Sequence, residues 1–252
     1  MANEVEKLNN IALADIEKIN GKDDDDIEKI NGAEFSGVVY GPPAVVATSV
    51  LTAGTGATSH TLALDAGTGV GRLLLVGICQ EDSGASLGDP VDNPSGVTYD
   101  GQAMTRAMTN YRATVRNSVW YIIAPSTGTN NIVASFTGTT DSPTSLRGIS
   151  LSGCRQDIAP GGGFTAQWGA GTSQSYTVDT QAGVIVMDWM VWEGSPTSES
   201  KAEGSDIGGA PASDSGGHYI TATGSSQAMG WTWSGSTTSV QNAIRQFSDV
   251  YS

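Results

Sequence analysis

Apolar segments of strand length recur along most of the chain, and Gly, Pro, Asn and Asp separate them. In some segments apolar and polar residues alternate, which is typical of a strand with one buried face, whereas in others the apolar run is unbroken. No convincing amphipathic helix pattern follows residue 35. The predicted strands lie at residues 44–51, 60–65, 72–80, 117–124, 131–136, 145–153, 173–179, 183–193, 218–223, 227–234 and 239–247.

About eleven strands are too many for a simple immunoglobulin domain, and 33 glycines are consistent with many tight turns. We therefore predict a mainly β domain over residues 35–252, either a jelly roll or an elaborated antiparallel β-sandwich. Val97 to Arg106 adds two short strands around Asp100-Gly101, which is a strong signal for a tight turn.

The first 34 residues follow a different pattern, which repeats every 11 residues. The phrase VEKLNN at 5–10 returns as IEKING at 16–21 and again at 27–32. Because 11 residues make about three helical turns, the apolar positions of the repeat would share one face of a helix. These positions are Val5, Leu8, Ile16, Ile19, Ile27 and Ile30.

The end of each full repeat argues against one long coiled coil. Asn-Gly stands at 20–21 and 31–32, where it is a helix stop or a turn signal. Asp15 and Asp26 precede the repeats and are suited to cap a new helix. We predict an arm, residues 1–34, of two or three short helices. Such units cannot bury their own apolar face, so we expect them to dock on sister chains, on the β-domain or on a neighbouring protein.

The arm resembles the short IEKING repeats near the N-termini of tailed-bacteriophage virion proteins, on the strength of NNIALADIEKING followed by DIEKINGAEF. The resemblance covers about 35 of the 252 residues. It implies a structural component of a phage virion, such as a decoration or cement protein, a tail protein or a fibre-like protein. It also implies a homo-oligomer, with a trimer favoured, that contacts other virion proteins.

A second resemblance concerns the order of apolar runs between residues 70 and 155, among them LLLVGI, VWYIIAP and GISLSG. This order is similar to a β-sandwich module of bacterial and phage surface proteins. It brings no catalytic residues with it.

The charge of the chain excludes some classes of partner. The formal net charge is −14, and residues 1–34 contribute ten acids and four lysines to it. Nothing in this distribution would attract a phosphate backbone, so we expect no nucleic-acid partner. The first residues lack the pattern of a signal peptide, and no run approaches about 20 apolar residues. We therefore expect synthesis in the host cytoplasm and no membrane insertion, and the resemblance of the arm to phage virion proteins implies a final location in the virion.

Few residues offer chemistry for catalysis or metal binding. Two histidines and two cysteines are dispersed, so we predict no metal site and no cofactor. Cys79 and Cys154 lie in apolar runs, where buried free thiols are favoured over a disulfide. Asp214-Ser215-Gly216-Gly217 resembles the turn around the nucleophile of chymotrypsin-like proteases, but its flanks depart from that family and His60 lies in a dissimilar segment. We predict that the chain is not an enzyme.

Trp231 and Trp233 are two residues apart and would share one face of a strand. Such a pair could stack on a sugar ring, contact another subunit or pack in the core against residues 183–193, and core packing is favoured. The leading hypothesis is a virion structural protein that docks by its arm and oligomerises. The alternative is a carbohydrate-binding adhesin or receptor-binding module with a host glycan as its partner.

Overall fold

The computed structural model describes residues 7–8, 11–12, 18–19, 22–23, 29–30, 33–34, 42–53, 55–81, 93–112, 114–140, 143–156, 160, 164–165, 171–194, 199–201, 204–208, 215–237 and 239–245. Within these ranges the secondary structure is β-strand, with antiparallel pairing throughout and no helix. The prediction of a mainly β, antiparallel chain is confirmed.

Strands β1 to β6 lie in the arm and have two residues each: Lys7–Leu8, Ile11–Ala12, Lys18–Ile19, Lys22–Asp23, Lys29–Ile30 and Ala33–Glu34. Strands β7 to β15 follow at Ala44–Ala53, Ser59–Asp65, Leu73–Glu81, Pro94–Tyr99, Gln102–Ala103, Thr105–Arg112, Val115–Ile123, Thr129–Phe136 and Thr144–Ser152. Strands β16 to β23 lie at Phe164–Thr165, Gly171–Asp179, Ile185–Trp192, Glu199–Lys201, Ser205–Asp206, Ser215–Thr221, Ser226–Thr237 and Ser239–Arg245.

The strands predicted from the apolar pattern are all present, and their ends differ from the prediction by a few residues at most. The predicted turn at Asp100-Gly101 joins β10 to β11. Both residues have positive φ, 50° for Asp100 and 76° for Gly101, which is the backbone conformation that a type I′ hairpin requires.

The strands from β7 to β15 form two sheets that pack face to face. Sheet A has the order β11-β10-β14-β8, and sheet B has the order β12-β13-β9-β15-β7. Apolar side chains from both sheets meet in one core cluster, which includes Leu62 and Ile132 from sheet A and Val76 and Leu146 from sheet B. We call sheets A and B the first sheet pair.

The strands from β16 to β23 form a second sheet pair. Sheet C has the order β16-β23-β18-β21-β20, and sheet D has the order β17-β22-β19. Between these two sheets lie Val186 and Ala243 of sheet C with Met229 of sheet D, and beside them a cluster of aromatic side chains.

Sheets B and C also pack on each other, so that the four sheets stack in the order A, B, C, D. This arrangement explains the unbroken apolar runs, because β9 and β18 are buried on both faces. On β9, for example, Leu74 and Val76 face sheet A, whereas Leu73 and Leu75 belong to the cluster between sheets B and C.

The contact between sheets B and C is close at its centre. A Cβ atom added to Gly77 on β9 would lie 2.2 Å from Cδ1 of Trp189 on β18. Side chains also bond to the backbone of the facing sheet: Asn117 Nδ2 donates to the Trp189 carbonyl at 2.7 Å, and Trp189 Nε1 donates to the Arg147 carbonyl at 2.9 Å. Arg147, which is fully buried, donates to the carbonyl of Ile207 at 3.0 Å.

The two sheet pairs have the same topology. If β7, β8, β9, β10, β12, β13, β14 and β15 are matched in chain order with β16 to β23, the order in sheet B becomes the order in sheet C. The order in sheet A, without its edge strand β11, becomes the order in sheet D. The first and second halves of the β region therefore build the same arrangement of strands, and they pack through equivalent sheets.

The arm differs from the prediction of short helices where the structure describes it. Lys18–Ile19 pairs with Lys22–Asp23, and the preceding and following repeats pair in the same register, 11 residues away on either side. Each pair of strands is separated by two residues, which in the second and third repeats are Asn-Gly. Asn-Gly is a strong signal for a two-residue hairpin, and here that property prevails over its role as a helix stop. The remaining positions predicted as helical lie outside the described residues.

Candidate functional site

The two tryptophans singled out from the sequence lie inside the second sheet pair. Trp231 is 1% exposed and Trp233 is 5% exposed. Both pack edge-to-face on Trp192 of sheet C, with ring centroids 5.4 and 5.9 Å away. The structure therefore shows the core packing that the sequence favoured, and neither ring offers an exposed face to a sugar.

A carboxyl group and an imidazole lie beside these rings, at the centre of the second sheet pair. Asp188 on β18 and His218 on β21 are paired across the strands of sheet C, and each is at most 1% exposed. The Nδ1 atom of His218 is 2.6 Å from Oδ1 of Asp188. Neither of these two atoms has an aligned hydrogen-bond partner, so the two side chains are in close contact without a hydrogen bond between them.

The other carboxyl oxygen of Asp188 accepts two hydrogen bonds. Trp231 Nε1 donates to Oδ2 across the sheets at 2.9 Å, and Gln241 Nε2 of β23 donates to the same oxygen. Gln241 also donates to the Met229 carbonyl at 3.0 Å, which ties sheet C to the backbone of sheet D. Asp188 is thus the centre of a buried polar cluster that includes His218, Trp231 and Gln241.

Further polar atoms near this cluster have no hydrogen-bond partner. They are Nε2 of Gln174, Nε1 of Trp192, Nε1 of Trp233 and Oε1 of Gln241. Gln174 is anchored at its other end, because its Oε1 accepts a 2.6 Å hydrogen bond from Ser239 Oγ. Buried polar atoms without a partner also occur in sheet B, for example Oε1 of Gln80 and Oγ of Ser145, so they do not by themselves distinguish this region.

In the first sheet pair, the positions that correspond to the polar cluster carry residues of an apolar core. Matching the first residues of β9 and β18 places Val76 at the position of Asp188. Trp120 pairs with Val76 across the strands as His218 pairs with Asp188. By the same registers Leu146 corresponds to Gln241, and all three residues of the first pair are buried in an apolar core.

An open cleft with a volume of about 490 Å³ lies on sheet D, above the polar cluster. Its lining includes Trp231 from the cluster and Gln174, which lies beside the cluster. The rest of the lining is Ser173, Ser175, Ser200, Lys201, Gly230 and Thr232. Lys201 Nζ is 2.5 Å from Oδ1 of Asp206, and Asp206 is the cross-strand neighbour of His218.

Ser215, the serine of the protease-like string, is not positioned to react with His218. The two residues are three apart on β21, so their side chains lie on opposite faces of sheet C. The Ser215 backbone carbonyl accepts a hydrogen bond from Arg147 of sheet B at 3.0 Å, whereas His218 faces sheet D. The arrangement of serine, histidine and acid that such a nucleophile needs is not formed by these residues.

The remaining candidate residues are distributed over the chain. Leu8, Ile19 and Ile30 each end the first strand of an arm hairpin. Val5, Ile16 and Ile27 lie outside the described residues, so the docking role of this set stays a prediction.

Both cysteines are buried free thiols in the cluster between sheets B and C. Burial raises the pKa of the Cys154 thiol to about 12. On β8, burial lowers the pKa of His60 below its usual value of 6.5. The His60 ring packs edge-to-face on Phe136, with 5.6 Å between ring centroids.

Among the described residues, no three His, Cys, Asp or Glu side chains are grouped so as to hold a metal ion. In the same part of the chain no helix has the length and apolar character needed to cross a membrane. No protein family, curated protein or solved structure matches the chain.

Sequence reasoning found Trp231 but missed Asp188, His218 and Gln241 as a group. A signal was present, because Asp188 is the single charged residue in the apolar run 184–192. Its partners are about 30 and 50 residues away, and only the strand order brings them together.

Proposed function

We propose that the protein is a structural component of a phage virion, a decoration, cement, tail or fibre-like protein that docks by residues 1–34 and forms a homo-oligomer. The observation that carries the proposal is the 11-residue repeat, whose IEKING phrase resembles arms of tailed-phage virion proteins. The regular hairpin register of the arm supports it, because equivalent units along a chain are suited to equivalent contacts.

The size of the arm hairpins favours assembly with other chains. Each hairpin pairs only two residues per strand, as Lys29–Ile30 does with Ala33–Glu34. An isolated two-stranded hairpin is marginally stable at best in water, and these are shorter than most. Pairing with the same repeat in sister chains would supply the missing strands, and a trimer is the assembly we favour.

The β region would then be the body that projects from the docking arm or bridges neighbouring subunits. We assign each sheet pair to the β-sandwich class, in place of one jelly roll. The large apolar cores of the β region and the close contact of sheets B and C are suited to a rigid spacer.

The first test is the protein composition of purified particles. A structural role predicts the chain in many copies per particle, measured by quantitative mass spectrometry against a major capsid protein. Absence of the chain from particles of a phage that encodes it would refute the proposal.

The second test concerns the arm in the full-length chain. Replacing Leu8, Ile19 and Ile30 together by Ser should abolish oligomers in analytical ultracentrifugation. The matched control replaces Lys7, Lys18 and Lys29 by Ser and should leave the oligomer in place. Equal behaviour of the two triple variants would contradict a docking role for the apolar positions.

A carbohydrate-binding module is the second candidate. With Trp231 and Trp233 buried, its support comes from the cleft on sheet D, whose lining is rich in hydroxyl groups. Binding of the full-length chain to a glycan array tests this candidate, and an array without any bound glycan would contradict it.

A further inference from the structure

Strand β12, an edge strand of sheet B, has a row of side chains on the side that faces sheet A. Arg106 pairs with Trp120 across the strands, and Tyr111 pairs with Arg116. Directly opposite residues of an antiparallel pair point to the same side of a sheet. Trp120 packs in the core between sheets A and B, and Arg116, four residues away on β13, shares its side. Arg106 and Tyr111 therefore also point to the sheet A side.

Sheet A does not cover this side of β12 beyond the start of the strand. The edge strand β11 of sheet A has only the two residues Gln102–Ala103, whereas β12 has eight. Arg106 and Thr109 are exposed, and Tyr111 is 58% exposed. Tyr111 is thus the most exposed large apolar side chain in the part of the chain that the structure describes.

Two arginines contact the aromatic rings of this surface. The Cζ atom of Arg116 is 6.0 Å from the ring centroid of Tyr111, and that of Arg106 is 5.5 Å from the ring centroid of Trp120. These are cation–π distances. We call the surface formed by Arg106, Thr109 and Tyr111 the β12 ledge. Tyr and Arg are enriched in protein interfaces and among the residues that contribute most to binding.

The β12 ledge lies in a part of the chain with an unusual charge. Residues 101–140 contain three arginines and no acidic residue, although the whole chain has a net charge of −14. Copies of a chain with a large negative charge repel each other. A surface without acids is a place where an acidic segment of another copy can approach with attraction in place of repulsion.

The arm is an acidic segment with the matching chemistry. Residues 1–34 contain ten acids and four lysines, and Asp23 to Asp26 form an unbroken acidic run. Carboxylates form charge-assisted hydrogen bonds with arginine. The same repeats also contain apolar residues, such as Ile19 and Ile30, that are suited to pack on an aromatic ring.

We propose that the β12 ledge is the docking surface for the acidic arm of a sister chain, with Arg106 paired with arm carboxylates and Tyr111 packed against the arm. The proposal rests on the proposed function, in which the arm docks and the chain forms a homo-oligomer, and it adds the surface that receives the arm. Because the ledge is exposed, salt screens these charge pairs, and the oligomer should weaken as the salt concentration rises.

The test measures self-association of the full-length chain by analytical ultracentrifugation over a range of concentrations. Arg106→Glu places an acid on the β12 ledge and should raise the dissociation constant of the oligomer at least about tenfold. The matched control, Thr61→Glu with Thr177→Glu, changes the net charge by the same amount at exposed positions on the outer faces of sheets A and D. It should change the dissociation constant far less.

Arg106 also contacts Trp120, so a second variant separates docking from folding. Tyr111→Ala removes an exposed ring and should also raise the dissociation constant about tenfold. Asp24→Lys with Asp25→Lys in the arm should restore association of the Arg106→Glu chain, because the two surfaces are then complementary in charge again.

An oligomer that neither ledge variant weakens would overturn the β12 ledge as the docking surface. Docking by the arm would still stand if replacing Leu8, Ile19 and Ile30 abolished that oligomer. Weakening that the arm lysines do not reverse would exclude the arm as the segment bound to the ledge and would indicate another acidic surface. A wild-type chain that is monomeric at every concentration would refute both the ledge contact and the homo-oligomer, and particle composition would still decide the virion role.

Discussion

The first and second sheet pairs share one topology but fill it with different chemistry. Between sheets A and B the central positions are apolar, as at Val76 and Leu146. Between sheets C and D the matching positions carry Asp188 and Gln241, which bond each other. The comparison shows that this strand arrangement does not need a polar centre, so the polar cluster is a particular property of the second pair.

The two centres should also respond differently to substitution. An apolar core loses stability roughly in proportion to the volume removed. A buried polar network is more sensitive, because removing one member leaves the others without partners in a medium of low dielectric constant.

The largest effect is expected for Asp188→Ala. The substitution removes the acceptor for Trp231 Nε1 and Gln241 Nε2 and leaves the His218 ring without its acid. Breaking a buried pair of this kind typically costs about 3–5 kcal/mol in the free energy of unfolding. Denaturant titration followed by tryptophan fluorescence measures this loss.

Val76→Ala is the matched substitution in the first sheet pair. It removes two methyl groups from an apolar core and should cost about 1–3 kcal/mol. If Asp188→Ala lowers the free energy of unfolding no more than Val76→Ala does, the polar cluster is not more sensitive to substitution than the apolar core.

The next largest loss of stability is expected at the contact between the two sheet pairs, where sheet B packs on sheet C. Gly77→Ala places a Cβ atom 2.2 Å from Cδ1 of Trp189, so the ring or a strand must shift. Overpacking of this kind typically costs about 1–3 kcal/mol, measured as a lower midpoint of thermal or denaturant unfolding.

Gly96→Ala is the control for Gly77→Ala, because a Cβ atom added to Gly96 meets no other atom within 4 Å. Its effect should be much smaller. A Gly77→Ala chain as stable as the Gly96→Ala chain would mean that the sheet B to sheet C contact is looser than the structure shows.

A smaller effect concerns pH and the first sheet pair. Burial holds the pKa of His60 below 6.5 in the folded chain, so the unfolded chain takes up this proton more readily. Stability should therefore fall as pH decreases from about 6.5 toward the folded pKa of His60.

His60→Gln should reduce that loss, since Gln174 is the residue at the equivalent position of the second pair. The measurement is the difference in unfolding free energy between the two chains at pH 7.5 and at pH 5.5. An identical difference at both pH values would exclude His60 as a contributor.

The smallest expected signal is the reactivity of the thiols. Cys79 and Cys154 lie between sheets B and C, and the pKa of Cys154 is raised to about 12. At pH 8 neither thiol should react with Ellman's reagent until the chain unfolds, because the thiolate is the reactive form. Labelling well before the loss of tryptophan signal would instead show that the two sheet pairs separate first.

Much of the fold could be predicted from the sequence, because burial on one or both faces of a strand leaves a direct pattern. The run around Leu73 to Gln80 predicted β9, and Asp100-Gly101 predicted the turn after β10. The arm was predicted wrongly at Lys18–Ile19 because an apolar repeat of 11 and an Asn-Gly pair suit both a capped helix and a hairpin.

The shared topology of the two sheet pairs and the polar cluster were beyond what single segments reveal. Equivalent strands share only short phrases, such as Trp120-Tyr121-Ile122 and His218-Tyr219-Ile220. The cluster depends on long-range pairing, since Asp188 meets Gln241 only when β18 and β23 are neighbours.

The packing of sheet B on sheet C has a further consequence for how the molecule behaves on dilution. Two equivalent modules on separate chains would dissociate as their concentration fell. Here the covalent link holds each module near the other at an effective concentration in the millimolar range or above. The interface between them is therefore unimolecular, and it should persist in a single copy of the chain as well as in a dense assembly.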